Sequence, residues 1–201
     1  MAEGIEKRRD GFTLKKLMRF LMLPFRPKGS RTWLAVNRFE DVPVDEILKK
    51  GIKGILLDAD GTLARNKTEH FSESVVRQVE LMREKGLQVA IYTNAGENRF
   101  QQFPGVEIVT GVPAKPDSRG FETAMMNFLQ LDDPARVCMI GDNYITDGGA
   151  IDAGMWFIYV KPIAGNEHFI HRFFRYIAYL CARLHAGKQF RFLSSNPNPG
   201  N

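Results

Sequence analysis

Short apolar runs alternate with longer amphipathic segments through the middle of this chain. The apolar runs are rich in β-branched residues and end at Gly, Asn or Asp, which predicts buried strands, whereas the segments between them repeat at helical spacing. The predicted strands are 54–58, 87–93, 106–109, 136–140 and 156–160, and the predicted helices are 44–50, 72–85, 96–102, 117–130 and 144–154. This alternation predicts an α/β fold with a doubly wound, Rossmann-like parallel sheet of five strands and helices on both faces.

Basic segments flank this acidic middle part. Residues 1–40 carry ten Lys and Arg against four Asp and Glu, and residues 161–201 carry six against one. The middle carries twelve against eighteen, so the ends are net +6 and +5 around a centre of −6. The predicted organisation is a basic N-terminal extension with a short amphipathic helix (1–43), an α/β domain (44–165), a basic amphipathic helix (166–193) and a disordered tail (194–201).

Two carboxylates follow the first predicted strand. The run Ile55-Leu56-Leu57 leads directly into Asp58-Ala59-Asp60 and a Gly-Thr turn. Positions i and i+2 of a strand share a face, so Asp58 and Asp60 can point into one site. At the carboxyl end of a buried parallel strand, where α/β sheets form ligand crevices, such a pair is costly unless a cation or proton balances it. The pattern suits a nucleophilic Asp, a neighbouring acid/base and a hard metal ion beside a phosphate.

Three later positions also place polar groups just after predicted strands. Thr93-Asn94 ends one strand, Lys115-Pro116 follows another, and Gly141-Asp142 ends a third with Asp147 five residues beyond. Each alone has an ordinary interpretation, as a turn, a surface charge or a helix N-cap. Because the carboxyl ends of parallel strands meet at one edge, all four positions are expected in one crevice.

Together these residues resemble the haloacid-dehalogenase-like phosphatases, whose first motif is hhhhDxDGT. The resemblance implies a haloacid-dehalogenase-like fold, Mg²⁺ as cofactor and a phosphate ester as substrate. It implies Asp58 as nucleophile, Asp60 as general acid/base, and Thr93 and Lys115 as groups that contact the phosphate. It also implies that Asp142 completes a magnesium site with Asp58 and the backbone carbonyl of Asp60, and that Asp147 is either a further ligand or a residue that orders the metal's surroundings or Lys115. No sizeable insertion separates the motifs, so no cap domain is expected.

The segment from Thr93 to Arg99 narrows the resemblance. It is similar to the S/T-N-N-x-E-x-R variant of the second motif, and Gly-Asp-x-x-x-Thr-Asp at 141–147 agrees with the same branch. That branch is the capless phosphatidylglycerophosphate phosphatases of bacteria and mitochondria, and the similarity covers roughly residues 45–187. It implies a phospholipid substrate, with Asn94 and Arg99 near the headgroup. A soluble phosphatase for sugar or nucleotide phosphates and a non-catalytic binding protein remain the alternatives.

The two ends have a second interpretation besides docking on the core. On a helical wheel, residues 168–185 place Phe, Ile, Leu and Cys side chains on one arc and Arg172, Arg175 and Arg183 on the other side. This separation of apolar and basic side chains, together with the apolar and basic segment 14–25, favours terminal helices that lie on anionic lipid. Nucleic acid is not expected as a partner. No run reaches the length that spans a bilayer, and unpaired cysteines favour a reducing compartment. We expect a cytoplasmic protein, peripheral on the inner face of the membrane; the oligomeric state stays open.

Overall fold

Six parallel strands form a single sheet in the computed structural model, which describes residues 13–94, 99–165, 169–186 and 192–193. The strands are β1 (Leu34–Val36), β2 (Gly54–Leu57), β3 (Gln88–Ile91), β4 (Glu107–Ile108), β5 (Val137–Gly141) and β6 (Trp156–Val160). The order across the sheet is β1-β6-β5-β2-β3-β4, with β2 in the middle. Leu57 lies opposite Ile91 on one side and Ile140 on the other, so the carboxyl ends of the central strands are level.

The prediction of five strands was wrong by one. Strand β1 has only three residues, and it pairs with β6 so that Val36 lies opposite Val160. A run this short has no detectable period, and only its partner strand makes it part of the sheet. The parallel α/β fold itself is confirmed, and no cap domain is inserted between β2 and the following helix.

The sheet is covered by helices whose bounds differ in places from the prediction. The segment 144–154 is helical only over Gly149–Asp152, because side chains bond the backbone before it: Asp147 accepts from the N–H of Asn143 at 3.1 Å. Residues 99–102 form turns rather than a helix, and 95–98 lie outside the described residues. The helices are α1 (Leu14–Met22), α2 (Val44–Lys49), α3 (Glu73–Glu84), α4 (Ser118–Phe128), α5 (Gly149–Asp152) and α6 (Phe169–Ala186).

Two apolar clusters fill the space between sheet and helices. Ile55 and Leu57 belong to the cluster on one face, and Leu56 belongs to the cluster on the other. All three side chains are fully buried, as expected for a central strand covered on both sides. The central strand is therefore held rigidly, and the residues that follow Leu57 begin from a well-defined position.

The C-terminal helix α6 docks by a face that the helical wheel did not select. Ala178 and Ala182 are its fully buried residues, and Arg175, one turn before Ala178, lies on the same face. The expectation that Arg175 belongs to the outer basic side was therefore wrong, because two small Ala side chains allow the helix to approach closely. Several side chains of the predicted apolar arc face outward instead; Phe169, for example, is 71% exposed.

The N-terminal helix α1 is attached to the domain by a buried arginine. The guanidinium of Arg19 donates to the carbonyls of Tyr144, Gly29 and Gly148 and pairs with Asp152. Phe20 packs edge-on against Phe174 of α6 at a centroid distance of 4.7 Å, so the two terminal helices are neighbours. In the part of the chain that the structure describes, no helix combines the length and apolar character needed to cross a bilayer.

Candidate active site

Three buried carboxylates converge at the carboxyl edge of the sheet. Asp58 follows β2 and Asp142 follows β5. The N–H of Asp58 donates to the carbonyl of Ile140 at 2.9 Å, which continues the hydrogen bonding between the two strands. Asp147 comes from the loop before α5. One carboxylate oxygen from each of the three lies within 4.8 Å of the others. The sequence prediction that these residues share a crevice agrees with this placement.

Lys115 lies inside this cluster. Its Nζ donates to Asp58 Oδ1 at 2.5 Å and to Asp147 Oδ1 at 2.6 Å. Burial disfavours the charged ammonium, but the attraction of Asp147 and Asp58 outweighs it, so the pKa of Lys115 is raised. Asn94 supports the approach of this side chain, since its Oδ1 accepts from the Lys115 N–H at 3.1 Å. The predicted contact of Asn94 with substrate stays a prediction.

The carboxylates outnumber the cation at their centre. Burial raises the pKa of Asp58, the ammonium of Lys115 opposes this and the Asp147 carboxylate adds to it, and together they bring this pKa to about 7. A cation beside these carboxylates would favour the ionised form of Asp58. Closely spaced carboxylate oxygens are the donors that Mg²⁺ prefers, so Asp58, Asp142 and Asp147 fit the predicted magnesium site.

Glycine at position 61 leaves space beside this cluster. Gly61 has a φ of +88°, and a Cβ there would stand 2.5 Å from Asp142 Oδ2. Glycine is thus required at this position of the motif for two reasons: the backbone is left-handed, and a carboxylate approaches closely. Thr62 also contributes, because its hydroxyl donates to Asp58 Oδ2 at 3.4 Å.

Asp60 is engaged by an arginine rather than by the carboxylate cluster. Arg99 Nη1 and Nη2 donate to its two oxygens, each at 2.7 Å, and the N–H of Lys67 donates at 2.8 Å. Because β2 ends at Leu57, the i, i+2 rule for strands does not extend to Asp60. The predicted contact of Arg99 with the headgroup stays a prediction, and its guanidinium is bidentate on Asp60 here.

Sequence reasoning did not assign Arg175 to the site. Its Nη1 donates to Asp142 Oδ2 at 2.7 Å, which brings helix α6 to the carboxylate cluster. A usable signal was present: Ala178 and Ala182, at helical spacing from Arg175, mark a close-packing face. Thr93, which the resemblance places on the phosphate, is buried just after β3 as expected for a residue of the crevice.

The parallel sheet and the Asp, Thr, Lys and Asp positions at its carboxyl edge define a haloacid-dehalogenase-like phosphatase. A family model described as "Mitochondrial PGP phosphatase" matches residues 23–162, and the chain belongs to that family. The Bacillus subtilis (strain 168) protein "Probable phosphatase YqeG" is 30% identical over 146 residues, which cover 70% of this chain and 82% of that protein. A crystal structure of an uncharacterized protein from Listeria monocytogenes serotype 4b is similar with a TM-score of 0.44 and 18% identity, over 58% of this chain and 84% of that one.

The close approach at Gly61 predicts a selective effect of a single methyl group. Gly61→Ala and Gly86→Ala both place Ala at a φ near +88°, so each should lose at least about 1–2 kcal/mol of unfolding free energy in urea. Around Gly86 nothing lies within 4 Å of the added Cβ, whereas at Gly61 it displaces Asp142. We expect Gly61→Ala alone to lower phosphatase activity by at least about tenfold, because it displaces a carboxylate of the cluster. Equal activity in the two variants would contradict this account of Gly61.

Proposed function

We propose that this protein is a Mg²⁺-dependent phosphatase that converts phosphatidylglycerophosphate to phosphatidylglycerol at a membrane surface. The observation that carries the chemistry is the buried Asp58 carboxylate, oriented by Lys115 and flanked by Asp142 and Asp147. Family membership supports the lipid phosphate as substrate.

In the proposed reaction, a carboxylate oxygen of Asp58 attacks phosphorus and the bond to the glycerol oxygen breaks. Asp60 gives its proton to that leaving oxygen, which departs as the alcohol of phosphatidylglycerol. A water then attacks the phosphorus of the aspartyl-phosphate, Asp60 takes the proton from the water, and the Asp58 carboxylate is released with inorganic phosphate. Lys115 and Thr93 donate hydrogen bonds to the phosphoryl oxygens. Asp58, Asp142 and Asp147 would hold Mg²⁺, which would supply Lewis-acid stabilisation of the charge on those oxygens.

The acid/base role of Asp60 requires a rearrangement. In this structure Arg99 occupies both of its carboxylate oxygens. The proposed step therefore includes opening of this pair when the substrate binds, so that Asp60 can turn toward the glycerol oxygen. Arg99 lies beside Phe100, whose ring centroid is 5.1 Å from the guanidinium carbon, and this contact can hold Arg99 in place when Asp60 turns away.

The two-step mechanism predicts that Asp60→Asn separates the steps. With p-nitrophenyl phosphate, whose leaving group needs no proton, the variant should release one equivalent of p-nitrophenolate per chain in a burst. Turnover after the burst should fall by about 10²–10⁴-fold, because the attacking water has no base. Intact-mass spectrometry should then find one phosphoryl group per chain, and Asp58→Asn should show neither burst nor adduct. Near-normal steady turnover in Asp60→Asn would refute the assignment.

A surface of exposed apolar side chains supports the proposed action at a membrane. This terminal-helix surface lies on α1, the turn after it and α6, which are in contact through Phe20 and Phe174. Exposed Arg26 and Arg172 accompany it, and such a combination suits the boundary between acyl chains and anionic headgroups. Its apolar members are Leu14, Met18, Leu21, Met22, Phe25, Phe169, Ile170, Phe173, Tyr176 and Leu184.

Membrane contact through the terminal-helix surface predicts a location-dependent effect of added charge. Phe25 and Leu184 are each 80% exposed, so glutamates there should not disturb the core. Phe25→Glu combined with Leu184→Glu should weaken co-sedimentation with phosphatidylglycerol-rich vesicles by at least about tenfold, because two apolar insertions are lost. Met126→Glu is the control for an added charge elsewhere, since Met126 is an exposed apolar residue of α4 outside this surface. Equal binding by both variants would exclude this surface as the contact.

The substrate is tested by phosphate release from phosphatidylglycerophosphate in mixed micelles, beside glycerol 3-phosphate and a panel of soluble phosphate esters. With Mg²⁺ we expect kcat/KM for the lipid to exceed that for every soluble ester by roughly a hundredfold, because distant parts of the substrate supply binding energy. Chelation with EDTA should abolish the activity and added Mg²⁺ restore it. Rapid turnover of soluble esters with none of the lipid would keep the chemistry and refute the proposed substrate.

A further inference from the structure

A groove of about 830 Å³ lies beside helix α6. It is bounded by α6 and by residues at the carboxyl ends of β1 and β6, among them Asn37, Tyr159 and Lys161. Strand β6 is the neighbour of β5, which leads into Asp142, so the groove and the cluster share one edge of the sheet. Its volume is in the range of ligand sites, about 300–1,000 Å³.

The chain connects the groove directly to the nucleophile loop. Pro162 lines the groove, and the N–H of the next residue, Ile163, donates to the carbonyl of Gly61 at 2.8 Å. Arg175 makes the second connection, since it lines the groove and donates to Asp142 Oδ2 at 2.7 Å. The groove and the carboxylate cluster therefore adjoin each other through Arg175 and through the contact between Ile163 and Gly61.

The chemistry of the groove combines positive charge with aromatic surface. Its charged lining residues are Lys161, Arg172 and Arg175, and its described lining contains no Asp or Glu. Among the described residues, no carboxylate pairs with Lys161 or Arg172. Phe173 and Tyr176 line the same groove and are 59% and 57% exposed, and both also belong to the terminal-helix surface. The groove therefore opens where the proposed membrane contact lies.

We propose that this groove binds the part of a glycerophospholipid that does not react, with its phosphodiester on Arg172 and Lys161 and the first acyl carbons along Phe173 and Tyr176. This inference rests on the proposed function, because binding in the groove would give the proposed reaction its preference for a lipid substrate. Guanidinium groups bind phosphate oxygens by charge-assisted, often bidentate hydrogen bonds. Arg175 has a different part, as a positioning residue that holds Asp142 at the boundary between groove and cluster.

The test uses dihexanoyl phosphatidylglycerol, kept below its micelle-forming concentration so that no lipid surface is present. This probe has the phosphodiester and short acyl chains but no phosphomonoester, so its binding does not depend on turnover. A ligand-observed NMR titration of the full chain gives the Kd. We expect Arg172→Gln and Phe173→Ala each to raise the Kd by about tenfold or more.

Arg183→Gln is the matched control, because it removes the same charge from the same helix outside the groove lining. Its Kd should equal that of the unmodified chain, and circular dichroism should show all variants folded. No measurable binding, or equal Kd values for Arg172→Gln and Arg183→Gln, would overturn the proposal.

Failure of the proposed function is read separately, from hydrolysis of phosphatidylglycerophosphate. If the probe binds through Arg172 but that lipid is not hydrolysed, the groove assignment holds and the substrate is wrong. If the lipid is hydrolysed while the Kd is insensitive to Arg172→Gln, the substrate holds and the groove assignment is wrong.

Discussion

The buried ammonium of Lys115 between two buried carboxylates is the interaction on which the site depends. Its hydrogen bonds to Asp58 and Asp147, at 2.5 and 2.6 Å, join the loop after β2, the loop before α4 and the loop before α5. Without the ammonium, burial of these carboxylates would be strongly unfavourable, so the three loops are stable only together. The central position of β2, with β3 and β5 beside it, brings them to one edge. Glycine at 61 and 141 follows from the same crowding, since a side chain at either would collide with Asp142 or Asp147.

The parts of this fold that the sequence predicts are those determined by residues close together in the chain. Buried strands such as β2 and β5 are continuous apolar runs, and Asp58 and Asp142 follow them directly, so element and site residue are found together. Strand β1 was missed because only its pairing with β6 defines it. Arg175 was missed for a similar reason: a periodic pattern shows which residues share a face, but the face that docks was decided by the small size of Ala178 and Ala182.

The pairing of Asp60 with Arg99 also has no local signature. The residues are thirty-nine positions apart, and their bidentate contact depends on where the turn after β2 leaves Asp60. The motif therefore predicts the chemical type of the residue but not the direction of its side chain. The direction of this side chain matters for the proposed mechanism, because the Asp60 carboxylate must release Arg99 before it can contact the leaving oxygen. Substrate binding then has to supply interactions that replace the pair.

Helix α6 covers one side of the crevice, and the described chain inserts no cap domain between β2 and α3. It contacts a candidate metal ligand through Arg175, while Phe169 and Phe173 of the same helix face outward. If the proposed membrane contact is made by this outer face, the surface from which a lipid arrives and the carboxylates that act on it are joined by one rigid element. An open crevice is then an advantage, since the acyl chains of the substrate can remain in the bilayer while its phosphomonoester reaches Asp58. A closing cap would exclude water, but here α6 and the lipid surface together can limit its access to the phosphoryl group.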